Sequence, residues 1–287
     1  MITVNNLSFS YTKRPYMKNI NFEVKNGEIF GFLGPSGAGK STLQKILTGI
    51  LSNYDGNVIV NNTEVKYAKT NFYDNIGVDF EFPSLYEKLT AEENMRFFAS
   101  LYSYSRDIHQ LLKSVGLQND ANKKVSEYSK GMKSRLNFIK ALVNDPQIIF
   151  LDEPTSGLDP TNARIVKNII LEEKAKGKTI ILTTHNMYDA SELCDNVAFI
   201  VEGSIRALAP PQSFIMKKGA TKIDYIYLEN QKRVAVSTSI KNLAKDLVLS
   251  NAIENNKLIS IHSSEPTLND IFIEITGRTL EWNLRIY

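Results

Sequence analysis

Gly34-Pro35-Ser36-Gly37-Ala38-Gly39-Lys40-Ser41 lies between a short apolar run, Glu28–Leu33, and a helical stretch, Lys40–Ile50. Its spacing is G-x4-G-K-[ST]. Glycines let backbone N–H groups curl around phosphate oxygens with no Cβ in the way. The helix that follows turns its positive end toward the same anion. Lys40 then reaches the β- and γ-phosphates, and Ser41 offers a hydroxyl to Mg²⁺. The order strand, glycine loop, helix is a nucleotide-binding layout. A glycine-rich turn before an ordinary helix is the plainer reading, but here strand and helix both stand where a phosphate cradle needs them.

Ile148-Ile-Phe-Leu-Asp152-Glu153 is the second such stretch. A buried strand ending in a carboxylate delivers it to the mouth of an open α/β sheet, where ligands bind. Asp152 would hold Mg²⁺, directly or through water. Glu153 would polarise a water for attack on the γ-phosphate. Alone, the pair would do no more than cap a turn. Beside the first motif it defines a P-loop nucleotidase.

The rest of the chain arranges itself around these two stretches. Ile20, Phe22 and Val24 alternate with polar residues as a strand does, and Asn26-Gly27 is a turn signal. From about 85 to 143 the pattern is helical: Thr90 with Glu93 forms a capping box, Ile108–Val115 closes on Gly116, and a third helix runs from about Met132 to Val143. Ile148–Leu151 and Thr179–Thr183 read as buried parallel strands, with helices at Thr161–Lys174 and Met187–Leu193. This predicts an α/β sheet with an all-helical insertion. Pro210-Pro211 breaks the pattern, and a small α+β domain is expected over 220–287. Its elements are strands at Ile223–Tyr227, Val234–Val236 and Leu258–Ile261, a helix at Lys241–Leu249, and a helix capped by Thr267.

Further residues narrow the class. Tyr128-Ser129-Lys130-Gly131-Met132-Lys133-Ser134-Arg135 resembles the signature motif of ATP-binding cassette (ABC) proteins, usually Leu-Ser-Gly-Gly-Gln. Ser129 and Gly131 match; Tyr128, Lys130 and Met132 do not, and the variant is similar to one in bacterial drug and peptide export cassettes. Ser156-Gly-Leu-Asp159 resembles the family's D-loop. His185 resembles the switch histidine at the γ-phosphate, and Tyr11 stands where the family stacks an aromatic on adenine. Outside this setting His185 would be an ordinary strand-end histidine and Tyr11 an ordinary tyrosine. The resemblance covers about 1–215.

The resemblance implies a P-loop ABC ATPase fold with an antiparallel β subdomain and the helical insertion. It implies ATP and Mg²⁺ as cofactors, with Gly34, Pro35, Ser36, Gly37, Ala38, Gly39, Lys40, Ser41 and Thr42 around the phosphates. Two copies would pair head to tail, so that Ser129, Gly131 and Asp159 of one copy cap the nucleotide of the other. The partners implied are a second ATPase subunit, in a homodimer, and a multi-span membrane permease. That places the chain at the cytoplasmic face of the cell membrane, powering export of a drug, peptide or antibiotic. One departure concerns the strand Ile76–Phe80. The family usually follows it with glutamine, and here the residue is Glu81, as in cassettes of bacitracin and lantibiotic systems. Glu81 would bind metal or water.

Composition bounds the alternatives. The 287 residues are 43% apolar and 23% charged, ordinary for a globular chain, and the net charge of +3 makes no case for nucleic acid. The N-terminus shows no signal peptide, and no apolar run approaches the ~20 residues of a membrane helix. The lone Cys194 reads as a small buried hydrophobe, and His109 and His262 read as structural. The alternative within the family is a cassette ATPase that moves no solute, such as a translation, DNA-maintenance or iron–sulfur assembly factor; translation types usually carry two cassettes in one chain and DNA-maintenance types insert long coiled coils, and neither appears in this sequence. A small-molecule kinase would lack the signature and the D-loop.

Overall fold

The computed structural model describes residues 1–278 apart from 13, 15, 82, 83, 220 and 221. Its contacts divide it into two compact units, 1–208 and 209–278. The second unit therefore begins ahead of the 220 expected, and its expected end at 287 lies outside the described residues.

In the first unit the described strands form two sheets. One is antiparallel, in the order Met17–Val24, Ile2–Phe9, Tyr54–Val60, Thr63–Glu64. The other has the order Ser204–Ala209, Asn196–Val201, Ile29–Leu33, Thr179–Thr184, Ile148–Asp152, Ile76–Asp79. Its inner strands pair in parallel, so the ends of Ile29–Leu33 and Ile148–Asp152 emerge at the same edge, with Thr179–Thr184 between them. Those three strands are buried at every residue, which is why they read as unbroken apolar or β-branched runs.

The core joins the two sheets. Phe22 from the antiparallel sheet meets Phe30 and Phe32 of the parallel one, with ring centroids 5.6 and 5.1 Å apart. Leu43, Ile46 and Leu47 from the helix Lys40–Leu47 complete the cluster. Each such side chain contributes about 1.5–3 kcal/mol on burial, which fixes the loop between strand and helix from beneath. Cys194 is buried beside Gly31, where a Cβ would fall 2.7 Å from its sulfur.

The insertion holds the helices Ala91–Ala99, Ile108–Ser114 and Lys130–Lys140. Thr90 and Glu93 form the capping box, with Thr90 N–H donating to Glu93 Oε2 at 2.8 Å and Glu93 N–H to Thr90 Oγ1 at 3.1 Å. The third helix starts earlier than Met132, because Ser129 caps it and accepts from Met132 N–H at 3.2 Å.

The second unit has an antiparallel sheet in the order Lys232–Ser239, Lys222–Glu229, Leu258–Ser264. The helix expected over Lys241–Leu249 is displaced. Asp246 accepts from Val248 and Leu249 N–H at 3.1 and 3.0 Å, so the α-helix begins at Leu247 and runs to Glu254, after a 3-10 segment at Ile240–Lys245. Pro211 is the first residue of a helix, Pro211–Lys218, where its missing N–H has no cost. That helix packs on Leu268–Thr276, whose N-cap is Thr267 in a second capping box.

Candidate active site

The loop between Leu33 and Lys40 is shaped by two glycines that tolerate no substitute. A Cβ on Gly34 would lie 2.1 Å from the Ile200 carbonyl oxygen. Gly39 has φ 110°, outside the range of L side chains, and turns the chain into the helix. The loop is pinned by Ala38 N–H to the Pro35 carbonyl at 3.2 Å and by Gly203 N–H to the Ala38 carbonyl at 3.0 Å.

Lys40 is buried and folds back into this loop. Its Nζ donates to the Gly34 carbonyl at 2.7 Å and the Pro35 carbonyl at 3.2 Å. Burial pulls its ammonium below the ordinary lysine value, and the negative charge of Glu153, Asp152 and Glu81 draws it back up. These three carboxylates come from two different strand ends, so their shared reach over Lys40 is a product of the sheet.

Asp152 ends its strand fully inside the protein and accepts the Thr183 hydroxyl. Glu153 follows with φ 53°, its N–H bonded to the Thr183 carbonyl at 2.9 Å. The Glu153 carboxylate takes the Thr184 hydroxyl at 3.1 Å on Oε2 and meets His185 Nδ1 at 2.8 Å on Oε1. A single pocket is lined by Ser36, Gly37, Gly39, Lys40, Ser41, Thr42, Glu81, Asp152, Glu153 and His185, together with Tyr16. The residues assigned to phosphate, metal and water in the sequence thus converge, apart from the loop residues Gly34, Pro35 and Ala38 that shape its floor.

Four expected residues stand elsewhere. Ser129 is exposed, Gly131 half-buried, and Asp159 exposed as the N-cap of the helix Pro160–Ala175, accepting from Thr161 and Asn162 N–H at 3.0 Å. None of the three lines the pocket. Tyr11 is exposed, with its hydroxyl 3.0 Å from Thr42 Oγ1 and its ring edge-on to Phe9 and Tyr16.

Several participants escape a reading of the sequence. Tyr16 lines the pocket and donates its hydroxyl to the Gly37 carbonyl at 3.0 Å. Thr183 and Thr184 orient the two carboxylates, and they do leave a signal: hydroxyl residues at the end of an otherwise apolar strand. Asp79 is buried at the end of Ile76–Asp79, bonded to Asn137 of the third insertion helix, and burial pushes its carboxyl up to about 8 with Asp152 adding to the rise. Asp189, also buried, accepts from Thr155 Oγ1 at 2.7 Å and Asn186 Nδ2 at 3.1 Å, joining the Ser156–Asp159 turn to the segment after His185.

A parallel sheet with a glycine cradle at its mouth, a lysine folded into the cradle and paired carboxylates opposite defines the class: a P-loop nucleoside triphosphatase. Residues 17–156 match the ABC transporter family. Over 284 residues the chain is 46% identical to the fluoroquinolones export ATP-binding protein of Mycobacterium tuberculosis, covering 98% of this chain and 94% of that protein. It is 38% identical to the lantibiotic transport ATP-binding protein SrtF of Streptococcus pyogenes over 206 residues, 71% of this chain and 89% of the other. A solved ATP-binding subunit of an ABC transporter aligns with TM-score 0.70 and 29% identity over 76% of this chain and 93% of its own. A dimeric ATP-binding cassette in a post-hydrolysis state, bound to ADP and Pi, aligns with TM-score 0.67 and 25% identity over 73% and 98%. The chain belongs to the ABC transporter family, as its ATP-binding and ATP-hydrolysing subunit.

Proposed function

We propose that this ATPase drives export of a drug, peptide or antibiotic through a separate multi-span permease, and that two copies share each ATP. The named cargoes of its relatives, fluoroquinolones and lantibiotics among them, differ from one another. The cargo is therefore chosen by the permease. No helix among the described residues is long and apolar enough to cross a membrane, which is in keeping with a permease that supplies the passage. In this reading the chain works at the cytoplasmic face. Ser129 and Gly131 open a capped helix away from their own pocket, the placement expected of groups that serve a partner's nucleotide.

The observation that carries the chemistry is the setting of Glu153. It follows Asp152 at the sheet mouth, with Thr184 and His185 fixing its two oxygens. Glu153 orients the attacking water and takes its proton, while His185 holds the carboxylate and contacts the γ-phosphate. Lys40 leaves the Gly34 and Pro35 carbonyls for the β- and γ-phosphate oxygens, and Tyr11 stacks on adenine. The donor set of Ser41, Asp152 and Glu81 is hard oxygen, which fits Mg²⁺; that ion needs only one or two carboxylates beside the phosphates. Bound there, Mg²⁺ neutralises charge on the phosphate oxygens.

Glu153→Gln keeps the shape and removes the base. ATP binding by this variant should persist, turnover should fall about 100-fold or more, and an ATP-bound dimer should accumulate in sedimentation. Near-normal steady-state turnover would show that Glu153 has another role. Residues 209–278 act as an accessory unit in this reading, so a chain ending at Leu208 should bind ATP as the full chain does.

A further inference from the structure

Asn137 occupies the last turns of the helix Lys130–Lys140, whose first turn carries Ser129 as its cap. Its side-chain nitrogen is shared. It donates to the Asp79 carboxylate and, at 3.1 Å, to the Phe80 carbonyl. Glu81 is the next residue of that turn. The backbone of Asp79 also meets the helix that follows the nucleotide loop, where Gln44 Nε2 of Lys40–Leu47 approaches the Asp79 carbonyl at 3.5 Å. Strand and helix are also close-packed here: a Cβ on Gly77 would fall 1.8 Å from the Ala141 carbonyl oxygen. Asn137 is 2% exposed, and among the described residues its side-chain amide oxygen, Oδ1, has no partner. The nitrogen end of this amide is clamped to the turn before Glu81, and its oxygen end is unpaired.

We propose that Asn137 is a positioning residue that couples Glu81 to the signature helix, so that nucleotide at one copy's Glu81 sets the placement of its Ser129 and Gly131 for the other copy. This rests on the two-copy reading above. The lever is short and stiff: Asn137 lies eight residue steps along the helix from its cap Ser129, about 12 Å at 1.5 Å per step. A shift of the Phe80 carbonyl is transmitted because the same nitrogen also holds the Asp79 side chain, leaving the amide no freedom to swivel in place. A buried donor left without a partner costs more than the bond itself returns. The helix therefore follows the turn.

The test uses the full chain in the Glu153→Gln background, with two readouts: fluorescent ATP-analogue affinity at dilute protein, and ATP-dependent pairing by sedimentation. Asn137→Ala should leave nucleotide affinity within about twofold and weaken pairing about tenfold, within the usual span of coupling between sites. Asp79→Asn keeps an acceptor for the amide and should pair within about twofold of the parent. The double variant Asp79→Leu/Asn137→Leu separates coupling from packing. It replaces both polar groups with apolar ones of similar shape, which restores the melting temperature. It cannot hold the Phe80 carbonyl, so pairing should stay about tenfold weak. Parental pairing in Asn137→Ala, or recovery of pairing in the double variant, overturns the coupling. A parent that pairs on ATP and loses pairing with Ser129→Arg establishes the two-copy reading independently; a parent that never pairs ends that reading and the coupling with it.

Discussion

The strand Ile148–Asp152 begins and ends among carboxylates, and the two ends treat them differently. Ahead of the strand, Asp145 accepts from Arg106 at 2.9 Å and from Lys178, and the same Arg106 forks onto both oxygens of the buried Glu173 at 2.8 and 2.5 Å. Lys176 adds a further contact to Glu173 at 2.8 Å. Burial would lower the Arg106 guanidinium, yet its hydrogen bonds to Glu173 and Asp145 carry it above its ordinary value. At the other end, Asp152 and Glu153 share a pocket with Glu81 and one lysine, Lys40, and take hydroxyl donors from Thr183 and Thr184. Every carboxylate is matched by a cation where the strand enters, and negative charge is left in excess where it exits. An excess of negative charge kept beside a preformed cradle is suited to a ligand that brings its own counter-ion, whereas a balanced cluster holds elements together.

The sharpest way to break this comparison is Arg106→Leu. It should destabilise the first unit by about 3 kcal/mol, the lower end for removing one partner of a buried pair, because Lys176 and Lys178 still serve Glu173. Denaturant unfolding measures it; a loss under about 1 kcal/mol would mean the entry cluster is ornamental. ATP affinity of the folded protein should be unchanged.

Asp152→Asn sharpens the contrast from the other side. Removing one negative charge from the crowded exit relieves repulsion, so stability should hold or rise by up to about 1 kcal/mol. The Mg²⁺ dependence of ATP binding should weaken in calorimetric titration. Destabilisation comparable to that of Arg106→Leu would show both ends to be built alike.

The smallest effect is in acid. Burial alone would raise Asp145 and Glu173, but hydrogen bonds from Lys178 and Arg106 to Asp145, and from Arg106 and Lys176 to Glu173, hold both below the usual carboxylate range. The folded chain therefore releases those protons more readily than the unfolded one. Their stabilisation is complete above about pH 5 and fades as the pH falls through the ordinary carboxylate range to the lower folded values. Arg106→Leu should flatten that part of the stability profile, and a profile as steep as the parent's would assign acid sensitivity elsewhere.

What could be read from the sequence follows the same division. Gly34–Thr42 and Asp152–Glu153 are contiguous, and their chemistry depends on local backbone geometry that residue types announce. Thr90–Glu93 and Thr267 announce their helices for the same reason. The entry cluster joins Arg106, Asp145, Glu173 and Lys178, distant in sequence and each an unremarkable surface type. Tyr16 is brought to the pocket by the hairpin of Ile2–Phe9 with Met17–Val24, and nothing in its immediate neighbours says so. Asn137 sits among helix formers, and its partner Asp79 ends an apolar strand, so only their meeting in space gives either a meaning. Asp246 is the opposite case: an aspartate two residues before Val248 is an ordinary local helix start, and the α-helix begins there rather than at Lys241.

Gly31 lets the sulfur of Cys194 sit against the central strand, and burial pushes that thiol far above its usual value. The protein thus carries a built-in clock. Alkylation of the buried thiol should therefore proceed chiefly from molecules in which the segment after Met187–Leu193 has lifted from the sheet, and its rate should count those openings. A nucleotide that binds only the closed form slows the count by the factor set by its concentration and affinity. Because the chain has no second cysteine, every modified molecule reports that one seam, and a cysteine introduced on the surface for labelling would react ahead of it.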